Sequence, residues 1–182
     1  SLRVIFNRPD HSQRKKSFAV CVKSLVFPYE DQSLRLIEWI ELVQLLGADK
    51  IVFYPLFIHE NMTKVLEYYK KQGLVDITPT TLAGNQVNAV HFQYLYFESL
   101  GSSWSRIFGN QVLQLNDCLY KNMYNYDYII PLDSDEVIMP KKENDWAGLM
   151  NSLLKATTSE KNISSYGASM VMFPNCPNAY VS

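Results

Sequence analysis

Asp133 and Asp135 are separated by Ser134 and preceded by the apolar run Tyr128-Ile129-Ile130-Pro131-Leu132. Alternate residues of an extended chain point the same way, so both carboxylates can face one ion. Hard divalent cations take oxygen ligands, and Mg²⁺ or Mn²⁺ commonly use one or two carboxylates and complete their shell with substrate phosphates. Asp133 and Asp135 are therefore the candidate metal ligands, and Asp133 and Ser134 are candidates to touch a bound cofactor. Glu136 comes next and would add to the local charge or serve the next element. The plain alternative is a solvated acidic loop after a strand. The apolar run before the acids and Pro140 after them favour a built site.

The acids need a strand end to stand on, and the chain supplies a regular series of elements. Ser17 to Val26 is β-branched and aromatic and reads as a central strand, ended by Pro28. Ser33 is the expected cap of a helix through about Leu46, with Leu36, Ile37, Ile40, Val43 and Leu46 as its stripe. Gly47 stops it. Ile51 to Phe57 is a second strand, Asn61 to Gln72 a second helix on Met62, Val65, Leu66 and Tyr69, and Gly73 stops that helix before a short strand at Leu74 to Ile77. Two strand–helix–strand units in succession argue for a parallel sheet covered by helices.

Thr78 to Val90 reads as loop, and His91 to Leu100 as strand or helix. Ile107 to Met123 is expected to be helical on Phe108, Val112, Leu115, Leu119 and Met123. Asp127 to Leu132 is the strand that carries the acids. Asn144 is expected to cap a helix on Trp146, Leu149, Met150, Leu153 and Leu154. Ser159 to Ser165 reads as polar loop and Ala168 to Phe173 as a last strand. Residues 1–16 form an irregular basic lead-in and 17–182 the folded domain, incomplete at its C-terminus. The start at Ser1 points to a fragment or a processed product.

Bulk properties remove several function classes. A length of 182 residues suits one domain. An apolar fraction of 47% suffices for a real core. A net charge of −1 gives no electrostatic case for nucleic acid or a membrane surface. No apolar run approaches membrane-spanning length. Cys21, Cys118 and Cys176 fit no zinc spacing; Cys21 reads as a small core residue, and a Cys118–Cys176 bridge is left open. Asn61-Met62-Thr63 and Asn162-Ile163-Ser164 are glycosylation sequons that matter only in the secretory pathway. His11, His59 and His91 are scattered and read as surface or satisfied histidines.

Four segments in order resemble glycosyltransferase family 92. They are Leu36-Ile37-Glu38-Trp39-Ile40-Glu41 with Leu46-Gly47-Ala48-Asp49, Val65-Leu66-Glu67-Tyr68-Tyr69 with Gln72-Gly73-Leu74-Val75, Gln114-Leu115-Asn116-Asp117-Cys118-Leu119-Tyr120, and Asp133-Ser134-Asp135-Glu136 with Pro140. The resemblance runs from about residue 17 to 173. It implies an α/β, GT-A-like (Rossmann-like) fold, a mostly parallel sheet with helices on both faces. It further implies an inverting hexosyltransferase that moves a sugar from UDP-galactose to a glycan acceptor with Mn²⁺ or Mg²⁺ at the DxD acids. The parent would be a Golgi-lumenal, single-pass type II membrane glycoprotein whose anchor is not in this chain. The family pattern has Phe where Val137 stands, an apolar exchange. It also continues past Ser182, where the catalytic base and a further metal ligand are expected.

Sugar transfer asks three things of the chain. A cation must neutralise the departing diphosphate; Asp133 and Asp135 are its candidates. The nucleotide must sit at the sheet's C-terminal edge, where Val22, Lys23 and Ser24, and Tyr54 and Pro55, would lie, with Lys23 able to meet a phosphate. Asn116 and Asp117 are candidates to line the donor pocket, against a plain polar helix face. Glu38 is a candidate polar contact near the nucleotide, against a flank salt bridge. Last, a general base must take the acceptor's proton, and no residue here presents itself for that role. Two other readings stand beside this one. The chain could bind donor or glycan without turnover. Leu132-Asp133-Ser134-Asp135-Glu136-Val137 also matches the DxDx(T/V) motif of haloacid-dehalogenase-type phosphatases, with Asp133 as nucleophile. That motif ends the first strand of its fold, whereas most of this chain precedes it.

Overall fold

The computed structural model describes residues 16–81, 104–156 and 163–172. The expectations at 1–15, 82–103, 157–162 and 173–182, including those for His91 to Leu100 and the first part of the loop from Ser159, fall outside these residues. Four strands form one all-parallel sheet: β1 (Lys16–Phe27), β2 (Lys50–Ile58), β3 (Val75–Ile77) and β4 (Tyr126–Leu132), in the order β3-β2-β1-β4. Among the described residues four helices alternate with them: α1 (Ser33–Leu45), α2 (Glu60–Lys71), α3 (Trp104–Asn122) and α4 (Trp146–Ala156). This is the α/β architecture with a parallel sheet and helices on both faces that the resemblance implied.

Strand pleating divides the core. Phe18, Val20, Val22, Ile51, Phe53 and Val75 point to one face and meet Leu36, Ile40 and Val43 of α1, Met62, Leu66 and Tyr69 of α2, and Trp146 of α4. Cys21, Val52 and Tyr54 point to the other face and meet Cys118 of α3. Each fully buried aliphatic side chain contributes about 1.5–3 kcal/mol. Four buried residues on α1, Leu36, Trp39, Ile40 and Val43, therefore outweigh a weak start signal worth about 1 kcal/mol. Trp39 takes the place expected for Ile37, which is exposed.

The C-terminal ends of α1 and α2 share one device. Gly47 has φ +112° and Gly73 φ +80°. Gly47 N donates to Gln44 O and Ala48 N to Val43 O. Gly73 N donates to Lys70 O and Leu74 N to Tyr69 O in the same pattern. These paired bonds close the last turn through a left-handed residue that glycine adopts without strain, and they turn the chain into β2 and β3.

Five local expectations need correction. Ser33 does not cap α1; it is the first helical residue, and the Asp31 carboxylate accepts its amide at 3.0 Å, adding a negative charge at the positive end of the helix. Asn144 does not cap α4; Asp145 Oδ1 accepts from Gly148 N at 2.7 Å. The buried line of α3 is rotated: Val112 and Leu119 are exposed, whereas Gln114 and Cys118 are buried. The cause is a disulfide from Cys118 to Cys21 of β1. It also replaces the Cys118–Cys176 option, while Cys21 is buried in the core as expected and is half of this bridge. Residues 168–172 are exposed and form no strand, because among the described residues no strand pairs with them.

Candidate functional site

The order β3-β2-β1-β4 means that the chain winds outward from β1 through β2 to β3 and then returns to the other side of β1. The strand order thus reverses between the adjacent strands β1 and β4. The crevice beyond their C-terminal ends is where open α/β sheets bind ligands. A cavity of about 440 Å³ opens there, lined by Val22 to Leu25 of β1, Leu36 of α1, Met62 of α2, Gln111 of α3 and the turn Asp133-Ser134-Asp135.

A β-bulge shapes its floor. Val22 pairs with Phe53 of β2, yet the next pair is Ser24 with Tyr54, so Lys23 is the unpaired extra residue. A bulge reverses the facing of the residues beyond it and re-aims the extra side chain. Leu25 accordingly joins the α1 side of the core, while Ser24 Oγ donates to Gln114 Oε1 of α3 at 2.7 Å. On the other edge of β1, Val22 pairs with Leu132, and the next step in register sets Lys23 beside Asp133. The ammonium meets Asp133 Oδ2 at 2.7 Å.

The acidic turn is held by the backbone and by two tryptophans. Glu136 N donates to Asp133 O at 3.0 Å, and Asp133 N donates to Glu136 Oε2 at 3.2 Å. Trp39 Nε1 of α1 donates to Glu136 O at 2.7 Å, and Trp146 Nε1 of α4 donates to Ile138 O at 2.8 Å. Glu136 is thereby spent on positioning the turn. The turn stands on a rigid frame, since Trp146 packs edge-on to Phe18 and Phe18 stacks on Tyr128.

Of the residues singled out in the sequence, Val22, Lys23, Ser24, Asp133, Ser134 and Asp135 line this one cavity. Glu38, Asn116 and Asp117 do not. Glu38 is exposed on α1. Asn116 Nδ2 donates back to Val112 O at 2.7 Å. Asp117 accepts from Tyr54 Oη at 2.7 Å and pairs with Lys121. Burial first, and the Asp117 carboxylate second, push the Tyr54 phenol well above its ordinary range. The helix is the expected one, but its residue on the cavity wall is Gln111, and the buried Gln114 accepts from Ser24 beside it. Their signal is present in the sequence: two glutamines three residues apart on a helix that must cover a sheet. Arg35, Glu30 and Gln32 also line the cavity, and nothing in their sequence surroundings distinguishes them from ordinary surface residues. His59 caps α2, its ring accepting from Asn61 N at 3.2 Å, and has no part in the site.

The donor set fits a divalent cation that shares its shell with a ligand. Among the described residues no three His, Cys, Asp or Glu side chains cluster as a closed cage. Two carboxylates on one turn are what a Mg²⁺ or Mn²⁺ site keeping water and phosphate oxygens requires. The cavity's charged lining is Glu30, Asp133 and Asp135 against Lys23 and Arg35. A bare diphosphate meets an excess of negative charge here, and a cation at the acids reverses that balance. Among the described residues no helix is long and apolar enough to cross a membrane.

A sequence model of the family described as glycosyltransferase family 92 matches residues 16–176. No curated protein matches the chain significantly.

Proposed function

From the premise that the chain belongs to glycosyltransferase family 92, and is thus a glycosyltransferase domain of α/β, GT-A-like fold, we propose that the cavity at the ends of β1 and β4 binds a divalent cation and a UDP-sugar. One observation carries this: the acidic turn and the bulged end of β1 share one cavity at the switch point of the sheet. Asp133 and Asp135 hold the cation, Mn²⁺ or Mg²⁺, which when bound supplies Lewis-acid stabilisation of the departing diphosphate. Lys23 and Arg35 offer charge-assisted hydrogen bonds to phosphate oxygens. Leu25, Phe27, Leu36 and Met62 give the cavity an apolar end suited to the flat faces of a nucleoside. UDP-galactose as donor, a glycan as acceptor and inversion at the anomeric carbon rest on the family resemblance. A lumenal, Golgi setting is proposed with them. The Cys21–Cys118 disulfide supports it, since such bonds persist in oxidising compartments.

The test is calorimetric titration of UDP-galactose with Mn²⁺ and then with EDTA. Binding is expected with the metal and is lost with the chelator. Asp135→Ala is expected to abolish the metal-dependent part with an unchanged circular dichroism spectrum, because this side chain is exposed and supports no packing. Equal affinity in that variant with Mn²⁺ present would sink the metal assignment.

A further inference from the structure

We infer that Lys23 acts as the resident counter-ion of Asp133 and makes cation uptake conditional on the diphosphate, so that each binds poorly alone and well together. The inference rests on the cation reading above and deepens it.

Lys23 is the extra residue of the β1 bulge, so no ladder pairing with β2 fixes its side chain. Its Nζ lies 2.7 Å from Asp133 Oδ2, and the two side chains keep 28% and 35% of their exposure. The ammonium is therefore paired but free to swing. A Mg²⁺ or Mn²⁺ ion on a carboxylate sits about 2.0–2.2 Å from its oxygen. An ion on Asp133 would stand within a few ångströms of the ammonium, and its double charge doubles the repulsion at a given distance. Alone, the cation must displace Lys23 from the carboxylate that it pairs with.

A diphosphate changes the balance. It brings negative oxygens to the same end of the cavity, where Lys23, Ser134 and Asp135 all line the wall. An ammonium has three donors and no acceptor, so it can transfer from Asp133 to a phosphate oxygen as the cation takes its place. The cation and the diphosphate thereby help one another, and such coupling is reciprocal. Lys23 is a positioning residue in this scheme, and it acts before any bond to the sugar breaks.

Counting free Mn²⁺ by its electron paramagnetic resonance signal tests this with no turnover involved. Titrations run without nucleotide and then with saturating UDP. In the native chain UDP should tighten Mn²⁺ by about 10-fold or more, within the usual range of couplings. Lys23→Met keeps the apolar stem and removes the charge. It should tighten Mn²⁺ without nucleotide by about 5-fold and reduce the UDP-induced tightening by a similar factor. Lys23→Arg should preserve the native pattern, which separates loss of charge from damage to the bulge. Nucleotide-free Mn²⁺ affinity that is unchanged or weaker in Lys23→Met overturns the inference. If Asp135→Asn removes Mn²⁺ binding while Lys23→Met is silent, this inference alone falls. If the native chain takes no Mn²⁺ even with UDP, the cation reading falls and this one with it.

Discussion

At the scale of single residues, Glu136 is the side chain whose role changed most between sequence and structure. It adjoins two candidate ligands yet faces their backbone, accepting from Asp133 N while its own amide closes the turn on Asp133 O. Removing a group that orients a ligand typically costs 10–100-fold in metal affinity. Glu136→Ala should therefore weaken Mn²⁺-dependent UDP binding by about 10-fold. Its thermal midpoint should hardly move, because a part-exposed hydrogen bond nets only about 0.5–1.5 kcal/mol. Glu136→Gln keeps an acceptor for the Asp133 amide and should retain most of the affinity. Calorimetry on both variants checks this, and equal losses would point to the charge of Glu136 instead of its acceptor oxygen. The sequence singled out Asp133 and Asp135 as alternate acids after an apolar run, and the structure sets both on the cavity wall. It could not make visible that Lys23 sits beside Asp133, since that pairing joins residues 110 positions apart and depends on a bulge. Asp117 and Asn116 misled for a plain reason: polar residues on a helix near a site are common, and their place along and around the helix axis decides which of them reaches it.

Among the elements, α3 shows what a covalent tie does to a helix. Its exposed positions include Val112, Leu113 and Leu119, and its buried ones Gln114 and Cys118. Periodicity alone selects the apolar line, and the disulfide to Cys21 overrides it. Closing a loop of 97 residues restricts the unfolded chain strongly, and loss of a native disulfide costs about 2–5 kcal/mol. Cys118→Ser should lower stability to urea by that amount, and Cys21→Ser by a similar amount. The double variant should lose no more than the larger single loss, because one bond is removed once. Equilibrium urea unfolding measures this, and fully additive losses would show that the two cysteines contribute through packing instead. The strands, α1 and α2 were legible because burial, propensity and glycine stops agree there. The strand expected over 168–172 is not formed, because a strand needs a neighbour and composition cannot supply one.

For the whole molecule, α1 and α2 are joined towards both ends by polar bonds that titrate, one contributing to stability at the acid side of the pH range and the other at the alkaline side. At one end Asp31 accepts from Asn61 Nδ2 at 2.6 Å and from Ser33 N at 3.0 Å. The Asn61 bond first, and Ser33 second, hold its carboxyl down at about 2, below the ordinary value of 3.8. A depressed carboxyl stabilises the fold above its unfolded value, and that contribution is lost as pH falls from about 4 towards 2. Asn61→Ala should raise the Asp31 midpoint towards 3.8 in a carboxyl-detected NMR titration. At the other end Tyr69 Oη donates to Glu41 Oε1 at 2.5 Å. Burial first, and Glu41 second, push the phenol up to about 12 from its ordinary 10.0. The sign depends on which state holds the proton. Below pH 10 both states keep it, and the stabilisation is fully present. Between pH 10 and 12 the unfolded chain releases it while the folded chain does not, so stability falls as pH rises and levels off beyond the folded value. Tyr54, raised in the same direction by burial and Asp117, adds to the same decline. Tyr69→Phe removes one titrating group from the unfolded state, so its stability should fall less steeply between pH 10 and 12 than that of the native chain. Urea midpoints at pH 9 and pH 11.5 measure the slope, and parallel losses in the two proteins would show that Tyr69 keeps an ordinary phenol.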